Sequence, residues 1–375
     1  MARILVIASF TRSLTLFRGD LLREMVAGGH EVTACSPEAD ADTLAELAQM
    51  GVRHLRYDLQ RTGLNPLADL ATYRGLRAII RAEQPDQVLA YTIKPVIYGC
   101  LAAAKEDVAG VRAMITGLGT AFEKKGLVGA VLGGVARFLY RRALAHADTV
   151  FFQNPDDCET FLDLNLVQSS QVVMINGSGV NTERFAVQPL PAGPPVFLLI
   201  ARLLQEKGVR EFAAATRILR DQGHRCSCRI VGFFDSHPQA IAEAEMKQWV
   251  VEGLIEFLGE MKDVRPALAD CTVFCLPSYR EGLPRTVLEA MATGRAIITT
   301  DAPGCRETVV EGENGFLVPV RDPVGLARAM TAYLDEPSLA VRHGARSREM
   351  ALESFAVEKV NHTILGTMGL TNKAR

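Results

Sequence analysis

Two glutamates, Glu281 and Glu289, bracket the turn Gly282-Leu283-Pro284 and the start of the helical pattern Arg285–Gly294. If the segment were helical throughout, the eight-residue interval would span about 12 Å. That is the reach from a ribose hydroxyl to a hexose across a diphosphate. Between them lies a helix N-terminus, whose free N–H groups and dipole suit a phosphate. Taken alone, the spacing is better read as a helix-dipole glutamate and a solvated mid-helix one. Glu-Gly-Leu-Pro before it and Glu-Ala-Met-Ala-Thr-Gly after it favour a site for a diphosphate-bridged sugar.

A second segment, Ala201-Arg202-Leu203-Leu204-Gln205-Glu206-Lys207-Gly208, follows the apolar run Val196–Ala201. Arg202 and Lys207 at a strand's carboxyl end suit a diphosphate, Arg as a planar fork and Lys as a mobile charge. Fixed cations there lower the barrier as a nucleoside diphosphate leaves. An exposed basic loop with Glu206 as local partner is the alternative. Ile230-Val231-Gly232-Phe233-Phe234-Asp235 is a third strand end, either flanking a nucleotide or making an ordinary turn. In the first half, Ser9–Ser13, Tyr91–Pro95 and Thr116-Gly117-Leu118-Gly119 end strands too. Thr116, Gly117 and Gly119 would let a ligand approach the backbone. Arg12, Arg18 and Lys94 would meet an anionic acceptor or stand as solvated charges.

These residues need a scaffold of alternating strands and helices. Apolar runs at Ile4–Ala8, Val32–Cys35, Val52–Tyr57, Gln87–Tyr91, Arg112–Ile115, Val150–Gln153 and Val172–Ile175 alternate with helical patterns. The same rhythm resumes at Val196–Ala201, Ser227–Val231, Ile255–Leu258, Val273–Leu276, Ala296–Thr299 and Phe316–Val318. This is the pattern of parallel α/β sheets. Gly28-Gly29 closes the first helix, and Pro66 and Pro95 stand in first turns. Four prolines within Gln188–Pro195 read as a linker. The expected division is a first domain over 1–187 and a second over 188–355. A helix over about 356–375 is a candidate to pack back on the first. Ligands in such sheets bind at the carboxyl ends of strands.

The 375 residues suffice for two domains, and 48% hydrophobic with 22% charged residues suits a folded chain. A net charge of −2 excludes a global basic field for nucleic acid. The eight cysteines form no Cys-x-x-Cys pair and meet no histidine cluster, so neither zinc nor disulfides are expected, and a reducing cytoplasm fits. No Asp-x-Asp cluster follows a strand, so no metal is expected at the diphosphate. A Gly-x-Gly-x-x-Gly turn after the first strand is missing, against a dinucleotide oxidoreductase. The seven histidines neighbour no Gly-x-Ser-x-Gly nucleophile. The start of the chain reads as a strand rather than a leader, and no apolar run of membrane-spanning length occurs. Residues 124–142 carry an apolar body, basic ends and aromatics near one end. They read either as a helix lying on an anionic membrane surface or as a core helix.

The set Arg202, Lys207, Glu281 and Glu289 resembles the donor-site signature of the family-four retaining glycosyltransferases. That resemblance implies the GT-B fold, two Rossmann-like doubly wound domains facing across a cleft. Asn176-Gly177-Ser178-Gly179-Val180-Asn181-Thr182-Glu183-Arg184-Phe185 is similar to the family's Asn-Gly-Val-Asp-x-x-Arg-Phe connection, with Asn181 in place of Asp. Phe17–Leu22, Arg61–Pro66, Tyr91–Gly99, Ile115–Gly119 and Phe151–Asp157 resemble one bacterial branch. Its members build surface polysaccharides and protein-linked glycans, and include N-acetylgalactosaminyltransferases acting on undecaprenyl diphosphate sugars. The resemblance implies a UDP-sugar substrate, no cofactor, a polyprenyl-diphosphate-linked acceptor and a peripheral position at the inner membrane face. It assigns Arg202 and Lys207 to the diphosphate, Glu289 to the ribose and Glu281 to the donor sugar, beside Gly282 and Leu283. Here Thr116-Gly117-Leu118-Gly119 lacks the histidine many relatives carry near the sugar. A UDP-sugar epimerase, a transferase with another acceptor and a non-catalytic binding protein are the alternatives.

Overall fold

The computed structural model describes residues 1–38, 40–60, 65–118, 127–235 and 237–371, with side chains other than those of 127–132. The chain forms two compact units, Met1–Ser178 with Glu358–Arg375, and Gly179–Val357. Each is a parallel sheet with helices on it.

In the first unit the strands are β1 (Arg3–Ile7), β2 (Glu31–Ser36), β3 (Arg53–Arg56), β4 (Gln87–Tyr91), β5 (Gly110–Ile115), β6 (Thr149–Phe152) and β7 (Val172–Met174). They lie in the order β3-β2-β1-β4-β5-β6-β7. The helices are α1 (Arg12–Ala27), α2 (Ala41–Gln49), α3 (Pro66–Glu83), α4 (Ile93–Lys105), α5 (Leu127–Leu144) and α6 (Pro155–Asp163). Strands covered on both faces read as continuous apolar runs, and β4, with the sequence QVLAY, is buried from Val88 to Tyr91.

The second unit holds β8 (Val196–Ile200), β9 (Ser227–Val231), β10 (Glu256–Gly259), β11 (Val273–Leu276), β12 (Ala296–Thr300) and β13 (Gly315–Val318). Their order is β10-β9-β8-β11-β12-β13. Around them pack α7 (Val209–Asp221), α8 (Glu243–Val251), α9 (Arg265–Ala269), α10 (Arg285–Ala292), α11 (Pro323–Asp335) and α12 (Ser338–Met350). A last helix, α13 (Val357–Thr367), returns to the first unit. Its Val360, Ile364 and Leu365, with Met368 and Leu370 beyond, join Leu22, Met25 and Leu89 in one core. Asn361 donates to Glu24 at 2.7 Å, and Gln87 to the Met368 carbonyl at 2.7 Å.

The division between Ser178 and Gly179 precedes the boundary expected at 187/188. The proline-rich stretch belongs to the second unit and is held there by a buried cation. Arg295, fully buried, donates Nη1 to the Gln188 carbonyl and Nη2 to that of Pro189, both at 3.0 Å. Proline density marks irregular backbone, and here that backbone is fastened rather than free.

Candidate functional site

The topological switch point of the second sheet lies between β8 and β11, the place where sheets of this kind bind ligands beyond the strands' carboxyl ends. Three loops leaving β8, β11 and β12 are joined there backbone to backbone. Tyr279 donates its N–H to the Glu206 carbonyl at 2.8 Å, and Glu281 to that of Pro303 at 2.9 Å. Two glycines allow this approach. Gly208 (φ +70°) would place a Cβ 2.1 Å from the Pro277 oxygen, and Gly304 (φ +80°) one 2.2 Å from the Glu281 oxygen. Thr299 Oγ1 donates to the Leu276 carbonyl at 2.7 Å and fastens the exit of β11 to β12.

The side chains meet on this frame. Lys207 Nζ lies 2.5 Å from Glu281 Oε1, and Ser278 Oγ donates to the same oxygen at 2.6 Å. The pair is enclosed, with 13% of the Lys207 side chain and 15% of Glu281 exposed. Glu281 precedes the helix, since α10 begins at Arg285 after Pro284 as its N-cap. Glu289 lies one turn into α10 and is buried, so its carboxyl titrates above the usual range. Arg285 opposes that shift, donating Nε to Glu289 Oε1 at 2.9 Å. Behind Lys207, Tyr279 donates its hydroxyl to Glu211 at 2.6 Å under the Arg321 guanidinium, 4.6 Å from the ring centroid. Burial, with the bond to Glu211 adding to it, raises the Tyr279 phenol to about 12. Arg202 stands on the β9 side with its side chain 48% exposed, 3.5 Å from Asp235 Oδ2. The arrangement offers an enclosed cation with a carboxylate beside it, a more open guanidinium and a second carboxylate along a helix.

Comparison with known proteins shows the family of the chain. Residues 194–336 match the family described as glycosyl transferases group 1, and residues 17–177 the glycosyl transferase 4-like domain. The chain belongs to the family-four glycosyltransferases. It is 25% identical over 354 residues, 91% of this chain and 92% of the relative, to an N,N'-diacetylbacillosaminyl-diphospho-undecaprenol alpha-1,3-N-acetylgalactosaminyltransferase of Campylobacter jejuni. To the lipopolysaccharide core biosynthesis mannosyltransferase LpcC of Rhizobium leguminosarum it is 33% identical over 42% of this chain and 46% of that one. The sucrose-phosphate synthase of Thermosynechococcus elongatus superposes with a TM-score of 0.80 at 19% identity, covering 98% of both chains. Anabaena HepE, solved with UDP-glucose, gives 0.79 at 18%, covering 99% of this chain and 100% of that one. The fold is GT-B.

In this glycosyltransferase the first-unit candidates are placed less uniformly. Thr116 and Gly117 follow β5, half-buried, with Gly117 at φ +126°. Gly119 lies outside the described residues. Lys94 Nζ is 2.6 Å from Asp69 Oδ1, with only 11% and 9% of the two side chains exposed. Arg18 is 3% exposed, its guanidinium 5.4 Å from the Tyr91 ring centroid. Neither presents the open cation that the sequence suggested, because Lys94 is paired with Asp69 of α3 and Arg18 lies on the buried face of α1. At this sheet's own switch point, between β1 and β4, Thr92 Oγ1 donates to Ser9 Oγ at 2.8 Å. Thr92 holds φ +69° and ψ 162°, a region that costs a threonine about 1–3 kcal/mol. Gly232 answers to packing, since a Cβ there would sit 2.2 Å from the Ala201 oxygen. The described part of α5 buries Ala136, Tyr140, Ala143 and Leu144 and exposes Val135, Arg137, Phe138, Arg141 and Arg142. Sequence reasoning passed over Ser278 and Arg285. For Arg285 the signal was its place four residues before Glu289.

No group of three His, Cys, Asp or Glu that could hold a metal occurs among the described residues. No described helix is long and apolar enough to cross a membrane.

Proposed function

We propose that the protein is a retaining, metal-independent hexosyltransferase. It moves N-acetylgalactosamine, or a related hexose, from a UDP-sugar to a sugar carried on a polyprenyl diphosphate. The setting is bacterial glycan assembly at the inner face of the cell membrane. The observation that carries this reading is the Lys207–Glu281 contact at the β8/β11 switch point, which sets a cation for a diphosphate against a carboxylate for a sugar. The acceptor class is supported by the Campylobacter relative, whose name specifies an undecaprenol-linked diphospho-sugar. UDP as the nucleotide is supported by the Anabaena neighbour's complex.

The donor's bond from C1 to the diphosphate oxygen breaks as the acceptor hydroxyl attacks C1 from the same face. The hydroxyl's proton passes to a phosphate oxygen, and UDP leaves. Retention follows without an enzyme nucleophile. Lys207 and Arg202 balance the charge growing on the departing diphosphate. Glu281 orients the donor sugar through its hydroxyls, and Glu289 accepts from the ribose. The N–H groups of Gly282 and Leu283 lie at the phosphates. Thr116 and Gly117 face the acceptor. The exposed face of α5, with Phe138 among Arg137, Arg141 and Arg142, rests on anionic lipid.

The test is transfer from a panel of UDP-sugars, with and without EDTA, to a polyprenyl-diphosphate-linked sugar, with the product anomer read by NMR. An alpha product insensitive to chelation is expected. Absence of transfer from every donor, a beta product, or loss of activity in EDTA would overturn the reading. Sedimentation with anionic vesicles tests the membrane contact, and Phe138→Ser should weaken it.

A further inference from the structure

The reading above gives Glu289 a ribose diol to hold, and the next inference rests on it. Glu289 is an awkward residue for that task. It lies on α10 beside Val287, Leu288, Ala290 and Met291, all in the core that this helix makes with β11 and β12. A protonated carboxyl would compete with the diol as a donor instead of accepting from both hydroxyls. Burial favours the protonated form.

Arg285 counters this from one turn back on the same helix. Its Nε reaches Glu289 Oε1 at 2.9 Å, with the two side chains 13% and 8% exposed. The other charges acting on the carboxyl are Arg184, from the segment before β8, and Asp263, after β10. Arg184 lies over the Phe185 ring, 5.9 Å from its centroid. Asp263 is gripped by Arg265, whose Nε and Nη2 donate to its two oxygens at 2.9 and 2.7 Å. Among the described contacts of Glu289, only Arg285 combines charge with a hydrogen bond.

We infer that Arg285 is a positioning residue for nucleotide binding, its guanidinium fixing the buried Glu289 carboxylate as an ionised acceptor for the ribose diol. Arg285 itself touches no reacting atom. Its effect belongs in donor affinity and in how that affinity depends on pH, and not in the bond-making step.

The probe is the ratio of UDP to 2′-deoxy-UDP affinity, measured by calorimetry between pH 6 and 8. Titration of the phosphates cancels in that ratio, because both ligands carry the same diphosphate. The wild type should prefer UDP by about tenfold or more at every pH, as for a hydrogen bond to a charged group. Glu289→Gln should bring the ratio near one. Arg285→Gln and Arg285→Met should keep part of the preference at pH 8 and lose it toward pH 6, and Arg285→Lys should retain it throughout. A melting curve establishes that each variant is folded, and either neutral variant that folds gives the readout. A wild-type ratio near one removes the ribose role of Glu289 and with it the reading beneath. A discriminating wild type beside folded neutral variants that discriminate equally at pH 6 overturns the role of Arg285 alone. A wild-type ratio that collapses between pH 8 and 6 overturns it without any substitution.

Discussion

Replacing Lys207 by Met separates the two jobs of the Lys207–Glu281 pair. Removing one member of a buried pair costs about 3–5 kcal/mol, because the other charge stays behind without its counterion. Here Ser278 still donates to Glu281 Oε1, and some 15% of that side chain reaches solvent. The expected cost is therefore nearer about 2–3 kcal/mol. At about 2–4 °C per kcal/mol for a unit of this size, that lowers Tm by roughly 4–12 °C. Turnover should fall about a hundredfold or more, as when a preorganised charge is lost from a transition state. The double variant Lys207→Met/Glu281→Gln removes both charges. It should regain most of the lost stability, as neutral replacements of buried pairs do, and regain none of the turnover. Calorimetric unfolding and initial rates at saturating UDP-sugar measure the two effects. A single variant as stable and as active as the wild type would falsify the pairing argument. A double variant no more stable than the single one would show that the carboxylate was never the source of the loss.

The Tm of Glu289→Gln relative to the wild type should move upward as pH increases from about 4.3, the unfolded carboxyl's value, starting from a deficit because Arg285 loses its enclosed counterion. The sign follows from burial: a carboxyl raised in the folded state binds more protons folded than unfolded above that value, so the wild type loses stability as pH rises. A Tm difference that is constant from pH 4 to 8 would contradict it. Gly208→Ala should cost about 1–2 kcal/mol for its left-handed backbone alone, and more as the Cβ pushes against the Pro277 oxygen. Displacement of Lys207 should then raise the donor KM, and a variant with wild-type Tm and KM would refute the packing role. Deleting residues from Glu358 onward takes Val360, Ile364, Leu365, Met368 and Leu370 from one core. At about 1.5–3 kcal/mol for each large apolar side chain, the first unit should become sensitive to limited proteolysis, and continued resistance would refute its dependence on α13.

The strands were legible because parallel sheets bury both faces, so VFLLI in β8 and VFCL in β11 stand out as uninterrupted apolar runs. Turn chemistry marked the element ends, as at Gly28 after α1 and Pro66 at the start of α3. What sequence could not supply was strand order. Lys207 and Glu281 each stood visibly at a strand end, yet their contact depends on β11 sitting beside β8 after two intervening strands. Long-range pairing also hid the state of Lys94, whose Asp69 partner lies on α3. Arg295 shows a further limit. An arginine reads as surface in any linear scan, and only the assembled loops reveal the four carbonyls its guanidinium serves at Leu268, Gln188, Pro189 and Ala269.

The return of α13 has a consequence for biosynthesis. The second unit is, in chain order, an insertion within the first, and residues 358–371 are translated after everything in it. On a ribosome adding about 5–20 residues per second, β1 through β7 wait some ten seconds or more for the helix that seals one side of their sheet. Until it arrives, Leu22, Met25 and Leu89 lack their covering partners. The later-made unit is thus free to finish folding first, while the nascent amino-terminal half still shows apolar surface to solvent.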